Sequence, residues 1–228
     1  MVGPDGAAKR AAALPRADGA VSALAMGADG VVLVVSAPSE GRQVLTAFAS
    51  DGAVAWKKTV VATPDARFPT PAITALLSDG KGGYFAVGAL SAEGGLDLGL
   101  GPLTGAGMFV ARLDARGAAS WERAFPESAS LTTDGQGSLV AAYTTYGSDV
   151  RAAHAVEIDG DGKVVRVATA TVPATCDDRE HRSSAFAAAG MSATSLFLVV
   201  SCQKMDDGTR PVTPIGRPLV FLGTMSRR

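Results

Sequence analysis

LDLGLGPLTGAGMFVARLDARGAASWERAF, residues 96–125, opens with a loop rich in glycine and proline and closes with a strand that ends in an aromatic. Between them lie an apolar strand at 108–113 and a turn, Asp114-Ala115-Arg116-Gly117. Two apolar runs joined by a short Asp- and Gly-containing turn form a hairpin, because glycine supplies the positive φ that such turns demand. Fainter copies of this grammar stand before and after the stretch. The chain therefore reads as a tandem β repeat and its fold class as all-β.

Working outward, Ala28-Asp29-Gly30 separates apolar runs at 21–26 and 31–35, and Ser50-Asp51-Gly52 separates 43–49 from 54–60. That is a four-stranded antiparallel meander. The unit recurs around Ser78-Asp79-Gly80, around Thr133-Asp134-Gly135 and around Gly190. The first-turn glycines at 30, 80, 135 and 190 are spaced 50, 55 and 55 residues apart. A sustained period of this size with four strands per unit is the signature of a β-propeller. The second strand of each unit (VVLVV, YFAVG, SLVAAY, SLFLVV) is the most apolar, as a strand buried on both faces should be. The chain is expected to form one domain, with repeats at about 20–61, 72–126, 129–172 and 184–225. The last repeat stops after its third strand, and residues 7–13, which follow an Asp-Gly pair, are placed to complete it and hide a sheet edge. The same facts also describe a fragment of a larger propeller. Trp56 and Trp121 fall on fourth, outer strands, where packing between blades is the expected role.

Composition narrows the function classes. The 228 residues carry 21 Lys+Arg against 22 Asp+Glu, and no basic run extends beyond pairs such as Lys57-Lys58. Nucleic-acid binding wants a basic face, so that class is set aside. No apolar run reaches the roughly 18 to 20 residues that span a bilayer. The N-terminal segment has only a four-residue apolar patch before Pro15, too short for a signal peptide. Cys176 and Cys202 permit one disulfide, which would place the chain in an oxidising compartment; two unrelated thiols are the other reading.

Asp97-Leu98-Gly99-Leu100-Gly101-Pro102-Leu103-Thr104, then Phe109-Val110-Ala111-Arg112-Leu113-Asp114, Gly117 and Trp121, resemble the bacterial seven-bladed β-propeller repeat. Its pattern is approximately D-x-G-G-G-P-L, then F-V-A-K-L-D-x-x-G, then a Trp. The likeness holds over about 73–126; Leu100 replaces a glycine, and the fourth repeat keeps only Gly216-Arg217-Pro218-Leu219. Proteins with such repeats are mostly secreted or envelope-associated, often lipoproteins. The resemblance thus implies a fold and an extracytoplasmic location, and carries over no catalytic residue.

Candidate chemistry is sparse. Asp159-Gly160-Asp161-Gly162 resembles the opening of a calcium loop, but Ala170 stands where its closing glutamate belongs, so a polar turn is the better account and no metal is expected. Cys176, Asp177, Asp178, His181 and Cys202 fit no standard zinc spacing. His154 is far from His181 in sequence, and no G-x-S-x-G elbow is present. No cofactor is implied. The long loops 89–107 and 205–217, with Asp97, Asp206 and Asp207, form the candidate binding face, since loops on a rigid scaffold commonly carry function. The expectation is a non-catalytic binding or scaffold module of the envelope or extracellular space, its partner a glycan or another envelope protein. A polysaccharide hydrolase or lyase using Asp97 with Asp206 or Asp207 is one alternative, and a structural part of a larger propeller is the other.

Overall fold

The computed structural model describes residues 19–39, 41–63, 72–91, 95–125, 129–146, 151–171, 183–191, 196–205, 211–214 and 219–223. These contain strands and turns and no helix, arranged as four antiparallel sheets in chain order. Sheet 1 is β1 (Ala20–Met26), β2 (Val32–Ser39), β3 (Arg42–Phe48) and β4 (Val54–Thr63), each pairing with the next. The following segment gives β5 (Ala72–Ser78), β6 (Tyr84–Leu90), β7 (Gly95–Asp97), β8 (Pro102–Thr104), β9 (Gly107–Leu113) and β10 (Ala119–Phe125). Of these, β5, β6, β9 and β10 form sheet 2. Sheet 3 is β11 (Ala129–Thr133), β12 (Leu139–Tyr146), β13 (Arg151–Ile158) and β14 (Val164–Thr171). Sheet 4 is β15 (Ser183–Met191), β16 (Leu196–Met205), β17 (Pro211–Pro214) and β18 (Leu219–Gly223).

In sheet 4 the third strand position is split. β18 pairs with β16 from Leu196 to Val200, and β17 pairs with its far end from Gln203 to Met205. No strand fills a fourth position there among the described residues, and residues 7–13 lie outside them.

The turns follow from their residues. In the turns that end in Gly52, Gly117 and Gly162, the fourth residue is a glycine at φ +90°, +78° and +81°, returning its N–H to the first residue's carbonyl. Where the first residue is aspartate, its Oδ1 accepts two further backbone N–H groups. Asp114 takes those of Arg116 and Ala118 at 2.8 and 2.9 Å, and Asp159 those of Asp161 and Lys163 at 3.0 and 2.9 Å. Aspartate is favoured here because its short side chain reaches its own backbone.

The hairpin β7–β8 departs from the expected loop. The structure lays it against the outer edge of sheet 1, pairing Ala62 with Leu96 and Thr63 with Gly95, which makes that sheet six strands wide. Asp97 closes the hairpin, its Oδ1 accepting the N–H of Gly99 at 2.6 Å and of Gly101 at 3.3 Å. Leu96, Leu98 and Leu103 sink into the core between sheets 1 and 2, with Leu33, Leu45, Val60, Tyr84, Phe109 and Leu113. A second core, between sheets 2 and 3, joins Phe85, Val110, Trp121 and Phe125 to Leu139, Val156 and Ile158. The middle strands of sheets 1 and 2 are buried on both faces, which is why they read as unbroken apolar runs. Each such buried leucine stabilises the fold by roughly 1.5–3 kcal/mol.

Candidate functional site

Successive sheets are held by a repeated clasp. On β4 and β10 one extra residue, Ala55 or Ser120, bulges immediately before the tryptophan. A bulge re-aims the following side chain, and here it turns each indole onto the next sheet. Trp56 Nε1 donates to the carbonyl of Ala115 at 2.7 Å, and Trp121 Nε1 to that of Gly160 at 3.0 Å. Two residues on, Lys58 Nζ donates to the carbonyl of Gly117 at 3.1 Å and Arg123 Nη2 to that of Gly162 at 3.2 Å. Lys58 also reaches the carbonyl of Leu98 at 2.7 Å, tying in the hairpin. Sheet 3 keeps the bulge, at Val165, but carries Arg166 in place of tryptophan, and Arg166 forms a buried ion pair with Glu157.

Nearer the first strands, Gln43 grips Ile73 at two points. Its Nε2 donates to the Ile73 carbonyl at 3.0 Å and its Oε1 accepts the Ile73 N–H at 2.7 Å. The turns 78–83 and 134–138 meet backbone to backbone, so closely that a β-carbon on Gly80 would lie 1.8 Å from the Gly135 oxygen. Glycine is required there.

Next to this contact lies a cleft of about 570 Å³. One wall belongs to sheet 2, with Lys81 and Arg112. The other belongs to turns of sheet 3, with Asp134, Gln136, Ser138, Asp159 and Asp161. Arg112 is neutralised by the fully buried Asp79, to whose Oδ2 its Nε and Nη2 donate at 3.1 and 2.8 Å. Asp134 Oδ1 accepts the N–H groups of Gln136 and Ser138 at 2.7 and 2.9 Å, which fixes the carboxylate in place. Arg112 and Asp134 are thus preset in a cleft lined by polar side chains, an arrangement suited to holding a polar ligand.

Asp159 and Asp161, singled out from sequence as a turn, do form one, and that turn lines the cleft. Asp97 sits in the hairpin on sheet 1, away from this lining, and is spent on turn closure. Asp206, Asp207 and Cys176 lie outside the described residues. Cys202 is on β16, and its side chain lies outside them too. The sequence reading missed Lys81, Arg112, Asp134, Gln136 and Ser138 as cleft residues. The available signal was the aspartate recurring at the head of the turns starting at 79, 134 and 159.

Three groups away from the cleft have displaced pKa values. Burial, and then the charge of Asp97, pushes Glu122 on β10 above its ordinary range. Glu122 Oε2 is enclosed and accepts no hydrogen bond among the described residues. Burial and the nearby Asp29 raise the Tyr84 phenol to about 12. Burial lowers His154, which stacks on Tyr143 with ring centroids 5.1 Å apart and meets the hydroxyls of Thr145 and Thr169 at 2.9 and 3.2 Å. Among the described residues no three His, Cys, Asp or Glu side chains are placed to hold a metal ion, and no helix is long and apolar enough to cross a membrane. No family model matches the chain, and no curated protein matches it in sequence.

Proposed function

We propose that the chain is a propeller-type repeat scaffold serving as a non-catalytic binding module of the cell envelope or extracellular space, with a glycan or another envelope protein as its partner. The observation that carries this reading is the cleft between sheets 2 and 3, where the Asp134 and Asp159 carboxylates are fixed in advance by backbone hydrogen bonds. Preorganisation of this kind lowers the entropic cost of binding. The repeated clasps supply the rigid frame. The propeller assignment is supported by four successive sheets of similar strand order and by the resemblance over 73–126, and the location by that resemblance and by the pair Cys176 and Cys202.

A polysaccharide-cleaving enzyme is the second reading, and Glu122 beside Asp97 favours it by supplying an acid of raised pKa. It is the less supported one, because Asp97 Oδ1 is occupied by two amides of its own hairpin.

The experiment is a thermal-melt screen of the full chain against a glycan panel, calcium, chelator and reductant, since a ligand of the native state raises the midpoint. A saturable rise with one glycan class supports the module and names its ligand. Cleavage of any glycan in the panel, lost in Glu122→Gln, transfers support to the enzyme. No rise with any glycan, followed by no capture of an envelope protein by the immobilised chain, overturns the binding module.

A further inference from the structure

The clasps between successive sheets repeat, and one receiving turn stands open. In sheet 2 the turn 114–117 offers the Ala115 carbonyl to the indole N–H of Trp56, the Gly117 carbonyl to Lys58, and the bare face of Gly117 to the ring. In sheet 3 the turn 159–162 receives Trp121 and Arg123 in the same way, through Gly160 and Gly162. Sheet 1 carries the same turn at 49–52. The Gly52 N–H returns to the Ala49 carbonyl at 2.8 Å with φ at +90°, and the Ala49 N–H meets the Ala53 carbonyl at 2.8 Å. Here, among the described residues, no tryptophan lies on the glycine, and a β-carbon on Gly52 would meet nothing within 4 Å.

The residue two places beyond the glycine repeats the contrast. Ala119 and Val164 are half-buried, each packed against the core that its clasp helps to close, whereas Val54 is 52% exposed. Val54 pairs with Phe48, so the two share a sheet face. Phe48 and Val44, deeper on that face, are buried. What lies open is therefore the turn and its rim, the part that one indole covers in sheets 2 and 3.

The two filled turns define the occupant. An indole covers a bare glycine and an apolar neighbour while keeping an N–H to donate, and the acceptor equivalent to Ala115 and Gly160 is the carbonyl of Ser50. A lysine or arginine two residues on would meet the Gly52 carbonyl, and the exposed Asp51 adds negative charge on the same turn. Both tryptophans of the chain are engaged in their own clasps, so the indole has to come from another polypeptide. We infer that the 49–53 turn of sheet 1, with Val54 beside it, docks a partner polypeptide through a β-strand carrying a tryptophan two residues before a lysine or arginine. The inference stands on the clasps and not on the cleft between sheets 2 and 3.

The test is a titration of the full chain with the capped peptide AASWERAF, the sequence of residues 118–125, followed by amide NMR. Saturable shifts at Ser50, Gly52, Ala53 and Val54 are expected. The peptide with Trp121→Phe keeps an aromatic ring without the N–H and should bind about five-fold more weakly, the worth of one hydrogen bond. The peptide with Trp121→Ala should not bind. In the chain, Gly52→Ala sets a methyl where the indole would lie, in a place where the unliganded fold has room for it, and should abolish binding. Val54→Ser leaves the turn intact and should weaken binding by about three- to ten-fold. No saturable shift at these amides with millimolar peptide, equal binding of the Trp121→Ala peptide, or undiminished binding to Gly52→Ala overturns the inference. Shifts centred on Gly162 also overturn it, since the peptide would then have displaced the chain's own Trp121. So does a concentration-dependent dimer abolished by Gly52→Ala, which would give the turn to a second copy. If a glycan raises the melting midpoint while the peptide leaves the turn unmoved, the binding module stands and this inference alone fails.

Discussion

The ring of Trp121 lies against Gly162 so closely that a β-carbon there would stand 2.7 Å from the indole Cγ. Trp56 treats Gly117 alike, at 2.6 Å from a ring carbon. One glycine therefore meets two demands at each site, a positive φ for its own turn and a flat surface for the tryptophan of the preceding sheet. Gly52 has a positive φ as well, +90°, but a β-carbon on it would meet nothing within 4 Å.

That contrast predicts a graded series. Gly52→Ala carries the backbone strain alone and should cost about 1 kcal/mol. Gly117→Ala and Gly162→Ala add displacement of an indole and should cost about 2–4 kcal/mol. Urea unfolding of the three variants measures the difference. Equal losses at all three positions would show that the tryptophans contribute nothing to the turn.

The indole hydrogen bonds separate from the packing in Trp121→Phe, which leaves the Gly160 carbonyl without its donor. The loss of that bond and of part of the buried area should cost about 1–3 kcal/mol. In a double-mutant cycle with Gly162→Ala the two losses should fall short of additivity, because they damage one contact. Strict additivity would refute the clasp as a unit.

Much of this frame was legible in the sequence. The Asp-Gly and Asp-x-x-Gly turns located the hairpins, and the unbroken apolar runs located the strands buried on both faces. The hairpin β7–β8 was not legible, since strands of three residues have no periodicity and their partner, β4, belongs to the preceding sheet. Asp97 looked like a residue on a projecting loop, whereas its carboxylate closes a hairpin packed on a neighbour. The cleft was hidden for a related reason. Lys81 and Asp161 stand 80 positions apart and meet only because consecutive sheets stack turn beside turn.

Tyr84 gives a prediction in alkali. Its hydroxyl donates to the Val31 carbonyl at 2.9 Å, and its pKa is pushed up to about 12 from an ordinary 10.0. The unfolded chain releases this proton first, so the contribution of Tyr84 to stability is fully present below pH 10 and is lost as pH rises toward 12. Tyr84→Phe should be less stable at pH 7 by about 0.5–1.5 kcal/mol, for one lost hydrogen bond. The gap to wild type should narrow between pH 10 and 12. A constant gap across that window would contradict the assignment.

Glu122 predicts the opposite outcome for a similar linkage. Its folded pKa is raised, first by burial and then by Asp97, so the protonated acid is the form that folding prefers. The stability it offers is fully present below its ordinary value of 4.5 and is lost as pH rises through the raised one. Above that raised value the wild type carries an ionised carboxylate, one oxygen of which is enclosed and accepts no hydrogen bond among the described residues. Glu122→Gln removes that charge, so its stability relative to wild type should rise as pH increases from 4 to 7. Thermal melts at pH 4 and pH 7 in matched ionic strength decide it. A Glu122→Gln variant whose stability relative to wild type falls between pH 4 and pH 7 would mean that the carboxylate is held by favourable contacts.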